Sequence, residues 1–343
     1  MKHLKLRIIY LIFRKLLMSM KTLAMFLLML YFIIGCSPSG KVYSIKIDSL
    51  KTYGDNEKDI MSMIGDFKYR NKKVYILDIG QKKIFIYSIN GEIIKQIQLR
   101  TGKGPGDFSM GLFAFDVISD TTLAILDNML MRVQLISTRY NYLSSFHINY
   151  MPNDIFYRDS LLYIPGNDNK SIISVYNLKG EKVDSLIKPF MLKRQPQPWF
   201  SNVDIENDIA IYVTNPYKTE IKKWYNNSVA WSFSDRKLNL ISSPVVRSRN
   251  GNITMRSADK GWANLFVYQN YVIASTYNYK WKKEGEVKPE ILIIDKNTGK
   301  LLFTEDVKVP FIANSFENGK FVFRKSDFPY PHLERINLNI IKN

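Results

Sequence analysis

The chain has 343 residues, a formal net charge of +18 and 13% aromatic side chains. This length allows a large core in one or two domains, and the many Tyr and Phe residues favour β structure because aromatic side chains suit pleated, half-buried surfaces. The single cysteine excludes an internal disulfide and any cysteine-rich metal site. Only three histidines occur, one of them at position 3, which excludes a multi-histidine metal centre.

The N-terminal 35 residues combine six basic residues and no acidic residue with the apolar run Leu23–Ile34. Twelve apolar residues are few for a bilayer span but suit the core of a signal peptide. The run continues into Gly35-Cys36, which resembles the lipobox of bacterial lipoproteins, where the cysteine is lipidated and becomes the new N-terminus. The alternative is an uncleaved helix that anchors the chain, with an incidental cysteine.

This leader divides the chain into a signal peptide at 1–35, a lipidated Cys36 with a tether at 36–41, and a body at 42–343. Lipidation predicts a membrane anchor in the cell envelope, because each buried methylene contributes about 0.8 kcal/mol to membrane binding. The tether carries no acidic residue, unlike many surface-exported lipoproteins of gut Bacteroidota, and this favours a periplasm-facing anchor while leaving surface exposure open. Translation from Met1 or from Met20 is equally open.

Beyond the tether, the sequence repeats a unit of short strands. Val42–Asp48 alternates as a strand but has no partner nearby in sequence, and residues 51–60 are predicted as loop. The second strand of each unit begins at one of six positions, spaced 39 to 62 residues apart: Val74, Thr122, Leu161, Ile209, Tyr271 and Lys320. A repeat of this size in an all-β sequence is typical of a propeller with one four-stranded blade per repeat.

The last unit is one strand short, whereas the strand at Val42–Asp48 is in excess. A propeller that closes its ring by adding the N-terminal strand to its last blade accounts for both observations and leaves no long exposed edge. The sequence therefore predicts an all-β, six-bladed β-propeller of four-stranded antiparallel blades. The alternative is an open array of sheets with two exposed edges.

A glycine-rich segment joins the first two units and contains Gly102, Gly104, Pro105, Gly106, Asp107 and Phe108. A nucleotide-binding loop needs a helix after it, together with a Lys-Ser/Thr pair or a ribose-binding acid, whereas a strand follows here. We therefore predict a tight turn between blades, in which glycines supply positive φ and Phe108 is wedged between sheets.

The Cys36 segment, the six repeats and this glycine-rich turn together resemble the six-bladed propeller lipoproteins of Bacteroidota, which are related in fold to NHL-repeat and TolB-like propellers. The resemblance covers residues 36–343. It implies the propeller fold and a cell-envelope location, but it implies no particular activity, since most members of that group have none assigned.

An enzymatic alternative comes from the calcium-dependent lactonase propellers, which hold calcium with Glu, Asn and Asp side chains around the central channel. Here the candidates to line such a channel lie at strand ends: Asp78, Asp127, Asn167 and Asn215. Asp and Asn are also ordinary turn formers at strand ends. Calcium is thus the one cofactor that the sequence suggests. The two remaining histidines, His147 and His332, are predicted as ordinary packed or surface residues.

The best binding candidates are basic and aromatic residues in two long connections. Arg247 and Arg249 lie in the insert Asp235–Lys260, and the basic loop Asn278–Lys288 contains Trp281, Lys282 and Lys283. Long loops on a rigid scaffold often carry binding sites, and this composition suits an acidic glycan or a peptide. The alternative is that both are simply solvated loops. Nucleic acid is not expected as a partner of an exported protein.

Four triplets of Asp, then Ser or Thr, then a third residue resemble the O-glycosylation acceptor of Bacteroidota; their hydroxyl residues are Ser49, Thr121, Ser160 and Ser185. Asp-Ser is also natural turn chemistry. Taken together, the sequence predicts a lipid-anchored envelope protein whose propeller binds a protein or glycan partner. The alternative functions are a calcium-type hydrolase and an assembly partner of an outer-membrane uptake system.

Overall fold

The computed structural model describes residues 43–54, 59–166, 168, 170–188, 202–207, 210–215, 220–226, 228–234, 245–247, 253–255, 260–278, 289–307, 311–317, 319–326 and 330–342. Within these residues the regular structure is entirely β, in six four-stranded sheets and two short two-stranded ones. The predicted all-β, six-bladed propeller is confirmed. None of the described segments forms a helix with the length and apolar character that a membrane crossing requires.

The strands follow one another blade by blade. The first strand, β1 (Tyr43–Tyr53), pairs in the last blade. Blade 1 contains β2 (Ile64–Arg70), β3 (Lys73–Asp78), β4 (Lys83–Ser88) and β5 (Ile93–Gln98), followed by the pair β6 (Arg100–Thr101) and β7 (Asp107–Phe108). Blade 2 contains β8 (Leu112–Ser119), β9 (Thr122–Asp127), β10 (Arg132–Ser137) and β11 (Tyr142–His147). Blade 3 contains β12 (Phe156–Arg158), β13 (Leu161–Pro165), β14 (Ile173–Asn177) and β15 (Lys182–Leu186).

Blade 4 contains β16 (Val203–Asn207), β17 (Ala210–Asn215), β18 (Glu220–Tyr225) and β19 (Ser228–Ser234), and the hairpin β20 (Val245–Arg247) and β21 (Ile253–Met255) follows it. Blade 5 contains β22 (Lys260–Tyr268), β23 (Tyr271–Asn278), β24 (Glu290–Asp295) and β25 (Leu301–Asp306). Blade 6 contains β26 (Ile312–Phe316), β27 (Phe321–Ser326) and β28 (His332–Lys342), and β1 is its outermost strand.

Burial changes from the middle to the outside of a blade, and the sequence pattern changes with it. In blade 1, the middle strands β3 and β4 are buried on both faces and read as continuous apolar runs. The outer strand β5 is exposed except at Ile97. Six clusters of buried apolar side chains fill the spaces between adjacent blades, one at each junction of the ring.

The ring closes as the sequence predicts, because β1 pairs with β28 as the fourth strand of blade 6. The strand is longer than expected, however, and it continues through Tyr53, where a loop was predicted. Tyr53 is buried, its ring lies 5.5 Å from that of Tyr87, and its hydroxyl donates to the carbonyl of Ile89 at 2.9 Å. These contacts with blade 1 explain why the strand extends this far.

Candidate functional site

The innermost strands of all six blades surround one central cavity of about 440 Å³. Each blade contributes to its wall, through Lys68, Asp116, Tyr157, Asp204, Val267 and Asn314 among others. Cavities of roughly 300–1,000 Å³ are typical of sites for small molecules. The wall also includes Asp159, Gln269 and Glu317, which follow the innermost strands, so the cavity lies toward the end of the channel where those strands end.

A buried lysine forms the floor of this cavity. The Lys68 side chain is 7% exposed, and its Nζ lies 3.1 Å from Asp66 Oδ2 and 3.7 Å from Asp154 Oδ1. The same Nζ lies 5.4 Å from the centre of the Phe156 ring. Because Asp154 and Phe156 belong to the start of blade 3, Lys68 connects blade 1 to a blade that is not its neighbour. The floor thus ties two separated blades together across the channel.

The proximity of these groups shifts their pKa values. Burial raises the pKa of Asp154 to about 7, against the opposing attraction of Lys68. Burial likewise raises the pKa of Asp66. Burial alone would lower the pKa of Lys68, but the carboxylates of Asp66, Asp154 and Asp116 outweigh it and raise that pKa. The lysine therefore stays charged, and the carboxyl groups of Asp66 and Asp154 hold protons at a higher pH than usual.

Each blade carries at least one acidic or amide residue on its innermost strand or just before it, and six of these recur with the repeat: Asp66, Asp116, Asp154, Asp204, Asn264 and Asn314. Sequence reasoning missed this set, although its intervals follow the strand repeat. The carboxylates reach across to the next blade: Asp66 accepts from the N–H of Phe115 at 3.1 Å, Asp116 from Tyr157 at 2.6 Å, and Asp204 from Val267 at 2.7 Å. These acids hold adjacent blades together.

These hydrogen bonds between blades count against a catalytic role for Asp66 and Asp116 in the hydrolase alternative. Asp66 and Asp116 each use one oxygen for the neighbouring blade and the other for the N–H of their own following residue, at 2.7 Å in both cases. A general acid or base needs a carboxyl group within reach of substrate. The oxygens of these two residues are instead occupied by the backbone of the propeller.

The mouth of the cavity contains charged groups that are only partly covered. Glu206 and Lys296 form an ion pair of 2.6 Å, and their side chains are 19% and 18% exposed. Arg158 lies 3.5 Å from Asp116, and the guanidinium of Arg70 lies 5.4 Å from the centre of the Tyr157 ring. Aromatic rings and charged side chains therefore face the same space.

The glycine-rich turn lies between blades 1 and 2, where β6 and β7 pair in parallel and Phe108 is fully buried among side chains of both blades. Within the turn only Gly106 has a positive φ, of 78°. At Gly102 and Gly104 the reason for glycine is space, because a Cβ would lie 2.7 Å and 3.0 Å from the Asp107 carboxylate. The expectation of positive φ at the glycines thus holds at one of the three.

Side chains of blade 2 hold this turn by bonding its backbone groups. Arg132 donates to the carbonyls of Lys103 and Asp107 at 3.0 Å and 2.9 Å. Gln134 accepts from the N–H of Gly106 at 2.9 Å, and the Tyr140 hydroxyl donates to the carbonyl of the same glycine at 2.7 Å. An anion site would need free N–H groups, and the N–H of Gly106 is occupied.

The two described strand-end acids proposed for a calcium site, Asp78 and Asp127, are not among the residues that line the cavity. Asp78 is buried and accepts from the N–H and the hydroxyl of Ser62, both at 2.7 Å. Asp127 likewise accepts hydrogen bonds from the N–H and the hydroxyl of Ser109. Both acids therefore fix the segment that enters their own blade, and the expectation that they face the channel is wrong. Among the described residues, no group of three or more His, Cys, Asp or Glu side chains is placed to hold a metal ion.

Several other predicted residues lie outside the described part of the chain: Cys36, Asn167, Arg249, Trp281, Lys282 and Lys283. Arg247 lies on β20, and Asn215 ends β17, but the side chains of both are likewise outside it. His147 is exposed at the end of β11, and buried His332 contacts the carbonyl of Tyr330. The four candidate glycosylation residues, Ser49, Thr121, Ser160 and Ser185, are all exposed, and their modification stays a prediction.

Neither a protein-family model nor a curated protein sequence matches the chain. Among solved structures, it is similar to a predicted exported protein of Bacteroides fragilis, with a TM-score of 0.61 and 14% identity, over 88% of this chain and 96% of that one. It is also similar to a DUF4221 family member from Bacteroides vulgatus, with a TM-score of 0.59 and 9% identity, over 87% and 99% of the two chains. The likeness is one of fold. It extends over nearly the whole length of both neighbours.

Proposed function

We propose that this protein is a binding module of the cell envelope that takes a small polar solute, such as a saccharide unit, into its central cavity. The observation that carries the proposal is the convergence of all six innermost strands on one cavity of about 440 Å³. Its wall mixes aromatic rings with hydrogen-bonding and charged side chains, as expected of a site that orients a polar ligand.

The envelope location rests on the leader and the comparisons. The basic and apolar N-terminal segment ends at Cys36, and one structural neighbour is described as exported. We propose that Cys36 is lipidated, that the propeller belongs to the NHL and TolB-like group, and that it faces the periplasm. A protein or glycan of the envelope is the natural source of the solute. Metabolic labelling with a fatty-acid analogue tests the anchor, because Cys36→Ala would abolish the label.

Binding in the cavity can be tested by narrowing it. Asn314 lines the cavity, and its side chain makes no hydrogen bond with the described residues. We expect Asn314→Trp to block solute binding by filling space. Asn141→Trp is the matched control, since Asn141 is exposed in a turn of blade 2.

The measurement is saturation-transfer NMR on the full-length protein in detergent, with neutral sugars, sugar acids and amino sugars. Signals from at least one class that persist in Asn141→Trp and vanish in Asn314→Trp would support the proposal. Absence of all signals, or equal signals in both variants, would contradict it.

A further inference from the structure

The charge of the cavity differs from that of the whole protein. The chain carries a formal net charge of +18, whereas five carboxylates and four cationic side chains line the cavity. Two more carboxylates, those of Asp66 and Asp154, contact Lys68 from behind the wall. By formal charge, the lining of the cavity is therefore slightly acidic within a basic protein. A locally acidic cleft concentrates ligands of the opposite sign.

Most of the cations in the wall already have partners. Lys68 is held by Asp66 and Asp154, and Lys296 is held by Glu206. Such pairs are unavailable to an anionic ligand, because a competing anion must displace a carboxylate that is already in place.

The remaining guanidinium groups are also engaged. Arg158 lies beside Asp116 and donates to the carbonyl of Tyr157 at 2.7 Å. Arg70 donates to the carbonyl of Val117 at 2.5 Å. Each guanidinium is thus held to the propeller through its Nη1, and that of Arg158 lies beside a carboxylate.

Two carboxylates in the wall have no cationic partner within ion-pair distance among the described residues. Glu317 is exposed, and its carboxylate makes neither a hydrogen bond nor an ion pair with them. Asp204 accepts the N–H of Val267 and forms no ion pair with them. Asp204 is engaged by the neighbouring blade, so the Glu317 carboxylate is the free charge that a ligand would meet.

Aromatic rings lie near Glu317 in the wall of the cavity. The Tyr69 and Phe316 rings lie 6.3 Å apart, and Glu317 directly follows Phe316. Tyr69, Phe316 and Glu317 all line the cavity. A carboxylate next to aromatic faces suits an organic cation, which gains both an ion pair and a cation–π contact.

We infer that the cavity binds an organic cation, a small solute carrying a protonated amine or a guanidinium, with its charge near Glu317 and the partly buried ring of Phe316. The inference rests on the proposed binding function and names its ligand class. It differs from the expectation of an acidic glycan, which rests on the basic and aromatic residues of the two long connections. The surplus of basic residues lies elsewhere in the protein.

Matched solutes of similar size test the charge requirement: glucosamine, glucose and glucuronate; putrescine, 1,4-butanediol and succinate; and arginine with citrulline. Affinities for the full-length protein in detergent are measured by isothermal titration calorimetry. We expect the amine or guanidinium member of at least one set to bind, and its neutral and acidic counterparts to bind at least tenfold more weakly. The sets also separate amino sugars, polyamines and basic amino acids as sources of the cation.

Glu317→Gln should weaken binding of the cation by about fivefold, since it removes one partly solvated ion pair. Glu305→Gln is the matched control, because Glu305 is exposed on the outer strand of blade 5 and should leave the affinity unchanged. Binding of neutral or acidic members without their cationic counterparts would overturn this inference and leave the proposed function standing. Absence of binding by every member would overturn both.

Discussion

The floor and the mouth of the central cavity use charged residues in different ways. At the floor, Lys68 is 7% exposed and lies between two carboxylates from different blades. At the mouth, the Glu206–Lys296 pair is nearly one-fifth exposed, and Glu317 has no ion-pair partner among the described residues. Buried charges are costly unless they are paired, whereas partly hydrated ones exchange partners easily. The floor therefore stabilises the propeller, and the mouth remains available to a ligand.

The largest effect on the free energy of unfolding should come from removing Lys68, the lysine of the floor. Lys68→Met leaves the mostly buried Asp66 and the partly exposed Asp154 without their cation, and we expect a loss of about 3 kcal/mol, the lower end of the cost of breaking a buried ion pair. Chemical denaturation measures the change. Lys95→Met, on the exposed outer strand of blade 1, should change the free energy of unfolding by no more than about 0.5 kcal/mol. Equal stability of the two variants would show that the floor is not structural.

A smaller loss of stability should follow from weakening the hydrogen bond by which Asp116 links blade 2 to blade 3. Asp116 accepts one N–H from blade 3 and one from Val117, and an asparagine oxygen can replace only one of its two carboxylate oxygens. We expect Asp116→Asn to lower the free energy of unfolding by about 2 kcal/mol, because it leaves a buried N–H without an acceptor. Asp184→Asn is the control, since the exposed Asp184 carboxylate accepts, within the described part of the chain, only the N–H of Ser185. Similar losses in both variants would contradict the role given to Asp116.

The floor should also make stability depend on pH. The pKa of Asp154 is about 7 in the folded protein and 3.8 in an ordinary setting, so the folded state binds more protons between these values. The free energy of unfolding should therefore fall as the pH rises from about 4 to about 7. Asp66, whose pKa is also raised, acts in the same direction, while Lys68 opposes both shifts.

Urea denaturation across this pH range measures the effect. Asp154→Asn should make the fall in stability shallower, whereas Asp184→Asn should leave its slope unchanged. An unchanged slope in Asp154→Asn would assign the pH dependence to another group.

The smallest effect on stability should come from the lysine of the mouth. Lys296→Met removes a partly exposed ion pair, and we expect a loss of no more than about 1 kcal/mol. The same change frees the Glu206 carboxylate, so an amine ligand should bind a few-fold more tightly. Lys300→Met, at an exposed position near the end of the same turn, should change neither quantity. Weaker amine binding in Lys296→Met would indicate that this lysine itself contacts the ligand.

Much of the fold could be predicted from the sequence because a propeller repeats its pattern. The second strands begin at Lys73, Thr122, Leu161, Ala210, Tyr271 and Phe321, each within one residue of its predicted start. Closure by the N-terminal strand could also be predicted, since a missing strand and a surplus strand stood at opposite ends of the repeats. The length of β1 could not, because Tyr53 is held by contacts with blade 1 rather than by local propensity.

The site was harder to predict, because the sequence shows which residues are acidic but not what their oxygens contact. Asp78 and Asp127 were chosen for their places at strand ends, yet both bind a serine of the incoming segment. Asp66 and Asp116 recur with the repeat, but their sequence context does not indicate that they link adjacent blades. Their role depends on an N–H of the neighbouring blade. Such contacts between repeats have no signature within a single repeat.

The most direct test of this account is a calorimetric titration of wild-type protein and Asn314→Trp with the amine that binds best among the matched solutes. The account predicts at least a tenfold loss of affinity in the variant, with a midpoint of unfolding close to that of Asn141→Trp. Equal affinity in the wild type and in Asn314→Trp would place the ligand outside the central cavity and contradict the central claim.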